Sequence, residues 1–257
     1  MPTIRLRKEI RGLHRSKGRE QQKKCLIEGE RSVCSALEAG ADIHLLVHSS
    51  VFQAPEVIEM ALAAGIDVHE VDDAEMQFLS DVSTPPGVLA VASTPLTDSR
   101  DLANLDTVLV LDAIQDPGNV GTLIRTCSWF GIEGILALPG TVDLSAPKVV
   151  RASMGGIWDV KLARTDSQKV WLKQWRDDEG YVIAADLSGE PYDSWVPAAK
   201  TALVVGSEAN GLSMSVRTFV DSFVLIPGSG DERGSESLNA AVAGGILIAR
   251  WRSESVR

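Results

Sequence analysis

Short apolar runs alternate with amphipathic stretches along most of the chain. "CLIEGE", "DIHLLVHSS", "IDVHEV" and "GVLAVAS" read as strands, and between them "RSVCSALEAG", "PEVIEMALAAG" and "DAEMQFLSD" place apolar residues at helical spacing. Gly40 and Gly65 stand where a left-handed glycine commonly closes a helix. This predicts a small α/β unit, residues 1–93. The stretch "TPLTDSRDLANLD" is polar and holds a proline, which predicts a linker at 94–104. A second α/β series fills 105–257. Its strands are "TVLVLDA", "GILAL", "YVIAAD", "TALVVG" and "SFVLIPG". Its helices run from Asn119, through "KVVRASMGG" and "DSQKVWLKQWRDD", and close with "SESLNAAVAGGILIARWR". Helices between apolar strands predict a mostly parallel sheet covered on both faces.

Composition narrows the class. The 257 residues are 44% hydrophobic, enough for a proper core, and no apolar run approaches the roughly 18 residues that a membrane helix needs. The N-terminus has basic residues but no apolar core segment, so a secretory signal is not expected. Cys25, Cys34 and Cys127 are scattered without a C-x-x-C pair, which fits reduced thiols in a cytoplasm and no disulfide framework or zinc site. The net charge of −10 is unevenly spread: residues 1–24 hold nine Lys or Arg against two Glu. A basic arm on an acidic body suggests contact with RNA or DNA, and the plainer alternative is a solvated, partly frayed helix.

Three loops rich in glycine and small polar residues each follow an apolar strand: "QDPGNVGTLIRT" (115–126), "VVGSEANGLS" (204–213) and "IPGSGDERGSESLN" (226–239). Open α/β sheets bind ligands outside the carboxyl ends of their strands, so the three can meet at one site. A Walker lysine and the G-x-G-x-x-G fingerprint are both missing, which argues against a standard nucleotide-binding enzyme. Asn119 falls near a helix start, where its side chain can cap free N–H groups. Arg125 can fork onto a phosphate or form a surface ion pair. Glu208, between two glycines, can bond backbone amides or face a ligand, and spacing alone favours shaping the loop. Ser235 or Ser237 can cap the last helix. His44 and His48 lie four apart in a strand without a third ligand, so no metal is expected. Trp171 and Trp175, four apart in a helix, read as core or interface.

Taken in order, "DPGNVGTLIRTCSWFG" (116–131), "LVVGSEANGLS" (203–213) and "VLIPGSGDERGSESLNAAVAGGILIARW" (224–251) resemble the three signature motifs of the SpoU (TrmH) family of RNA ribose 2′-O-methyltransferases, within the SPOUT superfamily. "LIEGERSVCSALEAG" (26–40) and "PPGVLAVAS" (85–93) resemble that family's L30e-like substrate-binding domain. The resemblance implies an α/β fold with a C-terminal trefoil knot, an exception to the avoidance of knots. It implies S-adenosyl-L-methionine as cofactor, RNA as substrate (ribosomal preferred over transfer RNA) and a homodimer formed through the C-terminal domain. Carried over residue by residue, Asn119, Arg125, Glu208, Ser237 and Asn239 are the catalytic set. Leu203, Gly206, Ile226, Leu238 and Ser237 surround the cofactor. The family account makes the first-motif arginine a base; because guanidinium stays protonated, Arg125 is expected instead to hold RNA phosphate and stabilise developing alkoxide charge. The spacer at 229–236 is longer than the family's usual one. The rival reading is a non-catalytic RNA-binding or ribosome-assembly factor.

Overall fold

The computed structural model describes residues 3–229 and 237–253. In chain order its first elements are α1 (Ile4–Gly12), α2 (Ser16–Gln22), β1 (Lys24–Glu28), α3 (Glu30–Glu38), β2 (Ile43–Ser49), α4 (Pro55–Ala63), β3 (Asp67–Val71), α5 (Asp73–Leu79) and β4 (Val88–Ser93). There follow α6 (Ser99–Leu102), β5 (Thr107–Asp112), α7 (Pro117–Phe130), β6 (Gly134–Ala137), α8 (Pro147–Ser153), β7 (Lys161–Arg164) and α9 (Gln168–Asp177). The chain closes with β8 (Tyr181–Pro191), β9 (Thr201–Gly206), α10 (Met214–Arg217), β10 (Ser222–Leu225) and α11 (Ala240–Ser253). The chain divides into two compact units. One holds the residues through Pro95 together with Asp143–Asp159, and the other holds Leu96–Val142 and the residues from Val160 onward.

The first unit is built on a four-stranded sheet of order β1-β4-β2-β3, in which β4 runs antiparallel to both β1 and β2 while β2 and β3 are parallel. The basic N-terminal segment is not frayed. It forms α1 and α2, and Ile10 and Leu13 are fully buried among Leu26, Leu45 and Leu79. Arg19, counted with the basic charges, is only 4% exposed. Its Nε and Nη2 donate to Asp143 Oδ2 at 2.9 and 2.6 Å, and its Nη1 donates to the Leu13 carbonyl at 2.7 Å. The segment containing α8 packs on β1. There Arg151 Nη1 donates to Glu28 Oε2 at 2.6 Å, while Glu28 Oε1 accepts from Ser80 Oγ at 2.7 Å and from the Asp81 N–H at 3.3 Å. The Glu28 carboxylate is almost fully buried, and these donors replace the water it has lost.

The second unit is a six-stranded, wholly parallel sheet of order β10-β8-β9-β5-β6-β7. Successive strands β5, β6 and β7 step one way from β5, and β9, β8 and β10 lie on its other side, so the order reverses between β5 and β9. Val108, Val110, Val182 and Val204 pack beneath Trp171 and Trp175, whose rings stack at 5.0 Å. These two tryptophans are core, and they follow from the helical i, i+4 spacing. The polar stretch 94–104 is ordered: Leu96 bridges to Leu162, and α6 buries Leu102 completely in this core. Strand β8 leaves the sheet part-way. Phe223 pairs with Ala184, but the next residue, Val224, pairs with Glu190. Residues 185–189 therefore form an excursion, and a Cβ on Gly189 would lie 2.5 Å from the Phe223 carbonyl carbon where the strand returns. Among the described residues no helix is long and apolar enough to cross a membrane.

Candidate functional site

The carboxyl edge of the parallel sheet collects the loops of interest. Helix α7 leads in from β5. It starts at Pro117, whose missing N–H and fixed φ suit the first helical position. Its cap is Asp116, which accepts from the Asn119 N–H at 2.9 Å. The expected cap, Asn119, is thereby relieved of that duty, because a carboxylate three residues earlier already satisfies the free donor. Gly118 makes room for it: a Cβ there would sit 2.8 Å from Asp116 Oδ1.

Freed from capping, Asn119 is a junction. Its Nδ2 donates to Glu208 Oε1, in the loop after β9, and its Oδ1 accepts from Asn239 Nδ2 at 3.0 Å, just before α11. Asn239 in turn caps α11, its Oδ1 accepting from the N–H groups of Ala241 and Val242 at 2.9 and 3.2 Å. This corrects the expectation that Ser237 caps the last helix; Ser235 and the spacer at 230–236 lie outside the described residues. Asn119, Glu208 and Asn239 thus join all three loops through side chains. Glu208 reaches out of its loop to the side chain of Asn119 on α7.

The loop after β9 is a tight return, with Ser207 and Gly211 exchanging backbone hydrogen bonds at 3.1 and 2.8 Å. A Cβ on Gly206 would lie 2.6 Å from the Gly211 carbonyl carbon and oxygen. Glycine is needed there for the loop's own closure. The base of the loop is tied down by Asp112, whose Oδ2 accepts from the Ser213 N–H at 2.6 Å.

Beside this network opens a cavity of about 650 Å³, lined by the ends of β8, β9 and β10 and the start of α11. Gly206, Glu208, Ile226, Ser237 and Leu238 are on its wall. Leu203 is not: it is fully buried inside β9, and Val205 and Gly206 take the wall positions instead. Arg125 lies two turns along α7, exposed and away from the lining. The excursion of β8 contributes Ala185, Asp186 and Leu187, which sequence reasoning missed. Asp186 accepts from the N–H and Oγ of Ser188 at 2.9 and 2.6 Å and from Arg217 Nη2. Burial pushes its carboxyl up, but the Ser188 bonds and the Arg217 guanidinium outweigh this and hold it below the ordinary Asp value. The signal was the D-x-S-G turn chemistry in "ADLSGE", just past the end of the apolar run "YVIAAD".

A backbone-rich cavity outside the carboxyl ends of adjacent parallel strands, with Glu208 of the side-chain network on its wall, is the kind of place where α/β enzymes bind a cofactor. Comparison with known proteins narrows this further. The SpoU rRNA Methylase family matches residues 106–249, and the MRM3-like substrate binding domain matches residues 6–90. The chain is 29% identical over 250 residues to the 23S rRNA (guanosine(2553)-2'-O)-methyltransferase RlmP of Bacillus subtilis, covering 95% of each protein. It is 25% identical over 288 residues to the mitochondrial rRNA methyltransferase 3 of Mus musculus, covering 90% of this chain and 67% of that one. The crystal structure of an AdoMet-bound rRNA methyltransferase from Sinorhizobium meliloti has a TM-score of 0.84 at 28% identity, covering 99% of this chain and 97% of that one. The fold is that of the α/β trefoil-knot (SPOUT) methyltransferases, with a smaller L30e-like α/β domain before it. The chain belongs to the SpoU rRNA methylase family.

The cavity suits the cofactor of that family, S-adenosyl-L-methionine. Leu187 and Leu238 remain 69% and 46% exposed on its wall, apolar surface that a flat adenine ring would cover. The volume lies in the range of small-molecule sites, roughly 300–1,000 Å³.

Proposed function

We propose that the protein methylates the ribose 2′-hydroxyl of ribosomal RNA, with Asn119, Glu208, Ser237 and Asn239 organising the reacting centre and Arg125 engaging the RNA. The observation that carries this reading is the side-chain junction at Asn119, which draws the three loops together on the edge of the cavity. When bound, S-adenosyl-L-methionine supplies a methyl group already activated by its sulfonium. The chain's own task is to align the ribose oxygen and manage the charge that develops as its proton leaves. Arg125 stays cationic and suits a phosphate clamp and electrostatic stabiliser rather than a base. Gly206, Ile226 and Leu238 hold the cofactor from the cavity wall.

The same reading takes the protein as a cytoplasmic homodimer joined through 105–257, with 1–93 gripping RNA and 94–104 between them. Support for the dimer is a shallow hollow between α7 and α11, where Thr122, Thr126 and Phe130 face Val242 and Ile246. Val242 is 50% exposed, and open space surrounds Gly245. Ribosomal RNA is preferred over transfer RNA because the named relatives act on ribosomal RNA.

The deciding experiment incubates the protein with S-adenosyl-L-methionine and unmodified large-subunit ribosomal RNA transcript, then maps 2′-O-methyl groups. One new ribose methyl is expected. RNA binding with no methyl would favour the assembly-factor reading, and methylation of transfer RNA alone would overturn the substrate.

A further inference from the structure

Helix α7 carries an outer strip that the cavity does not use. Its inner side is complete: Val120, Leu123, Ile124 and Cys127 are fully buried. On the outer side Arg125 is exposed and makes no hydrogen bond or ion pair among the described residues. One turn later Trp129 is 84% exposed, whereas Trp171, Trp175, Trp195 and Trp251 are all buried. Residues four apart on a helix share a face, with Cβ atoms roughly 5–6 Å apart. The acidic residues nearest to Arg125 in sequence are committed elsewhere. Asp116 caps α7, and Glu133 Oε2 accepts from the N–H groups of Asp106 and Thr107, both at 2.9 Å. An indole left in water beside an uncompensated cation contributes nothing to the core. It presents a π-face, with a charge one turn away on the same strip of α7.

We propose that Trp129 is a base-stacking residue: an unpaired nucleobase next to the target ribose lies on the indole while Arg125 holds the adjoining phosphate. The proposal rests on RNA being the substrate. Aromatic side chains bind splayed bases by stacking irrespective of sequence, and a neighbouring guanidinium strengthens the contact. Paired bases are not available in this way, so the device selects unpaired RNA. The hollow assigned to the dimer does not include Trp129, which lies on the adjoining strip of α7.

The test uses full-length protein, a short single-stranded RNA oligonucleotide of mixed sequence, and the same oligonucleotide annealed into a duplex. Wild type, Trp129→Ala and Trp129→Phe are compared for RNA affinity, for quenching of tryptophan fluorescence on binding, and for particle size by sedimentation. Single-stranded RNA should quench wild type and shield the exposed indole from iodide. W129A should bind it roughly 5- to 100-fold more weakly. W129F should recover most of that loss, duplex affinity should not change, and all three proteins should sediment alike. Equal affinity of W129A and wild type for single-stranded RNA overturns the stacking role alone. A smaller particle for W129A also overturns it, by assigning the strip to a second copy of the chain. Wild type that binds neither RNA overturns the substrate reading and this inference together.

Discussion

Replacing Asn119 by Ala removes a side chain that touches both other loops. Two bonds are lost: the donation to Glu208 and the acceptance from Asn239 at 3.0 Å. A buried hydrogen bond to a charged group contributes about 1.5–3 kcal/mol and a neutral one about 1 kcal/mol. Glu208 and Asn239 are exposed and Asn119 half-buried, so water replaces part of each bond and the lower ends apply. The combined loss is then about 1–2 kcal/mol, a factor of roughly 5–30 in an equilibrium. The bonds hold the cavity edge and do not brace the core, so the loss should fall on the ligand-ready arrangement. Affinity for S-adenosyl-L-methionine, measured calorimetrically, should weaken 5- to 30-fold, while Tm falls by only about 2–6 °C. Asn119→Asp should be worse than alanine, because it sets a second carboxylate against Glu208. In a cycle with Glu208→Ala, the double variant should lose about 1 kcal/mol less than the two singles together. Additivity within roughly 0.5 kcal/mol would mean that Asn119 and Glu208 act independently, and the junction would have no energetic reality.

Other outcomes follow from the geometry. Arg125→Ala should reduce methyl transfer to RNA by about 100-fold or more while calorimetry finds cofactor binding unchanged, and near-normal turnover would remove Arg125 from the mechanism. Gly206→Ala forces a Cβ into the Gly211 backbone and should cost about 1–3 kcal/mol of stability in denaturant unfolding, with weaker cofactor binding; a neutral variant would show that the loop has slack. Asp143 is pushed up by burial, but its bonds to Ser145 and the charge of Arg19 hold it below the ordinary value of 3.8. It therefore adds stability above that value, which is lost as pH falls through the lower folded value. Asp143→Asn leaves the nearly buried Arg19 unpaired and should cost about 3 kcal/mol at neutral pH. It should also flatten the acid limb of a Tm–pH curve, and an unchanged limb would clear Asp143 of that role.

Five of the six strands of the second unit were legible because each carries a short continuous apolar run; β7, Lys-Leu-Ala-Arg, was not, because only two apolar residues stand between charged ends. The three loops were legible because their glycines and small polar residues interrupt that pattern at strand ends. Other features were hidden for particular reasons. The N-terminal helices look like a charged arm because only a few apolar residues, Ile10 and Leu13 foremost, anchor them. Asn119 and Asp116 are both good caps by type, and only the backbone path shows that the carboxylate takes the N–H. Leu203 falls inside a signature motif, yet it lies further back along β9 and is fully buried, and only Val205 and Gly206, the last two residues of the strand, reach the cavity. The return of β8 was hidden because the apolar run "YVIAAD" ends at Asp186 and the polar residues after it carry no period to show that the chain rejoins the sheet at Glu190.

The membership of residues 143–159 in the first unit has a consequence for how the protein is made. When Pro95 leaves the ribosome, β1 has no α8 to pack against, Arg19 has no Asp143 and the Glu28 carboxylate has no Arg151. These partners arrive only after residues 96–159 have been translated, a delay of roughly 3–13 s at about 5–20 residues per second. The N-terminal unit must therefore wait, incomplete, while the first strands of the second unit emerge, and its closure joins contacts more than a hundred residues apart. Folding cannot proceed strictly from one end to the other. For the same reason, no single cut in the gene releases either unit whole.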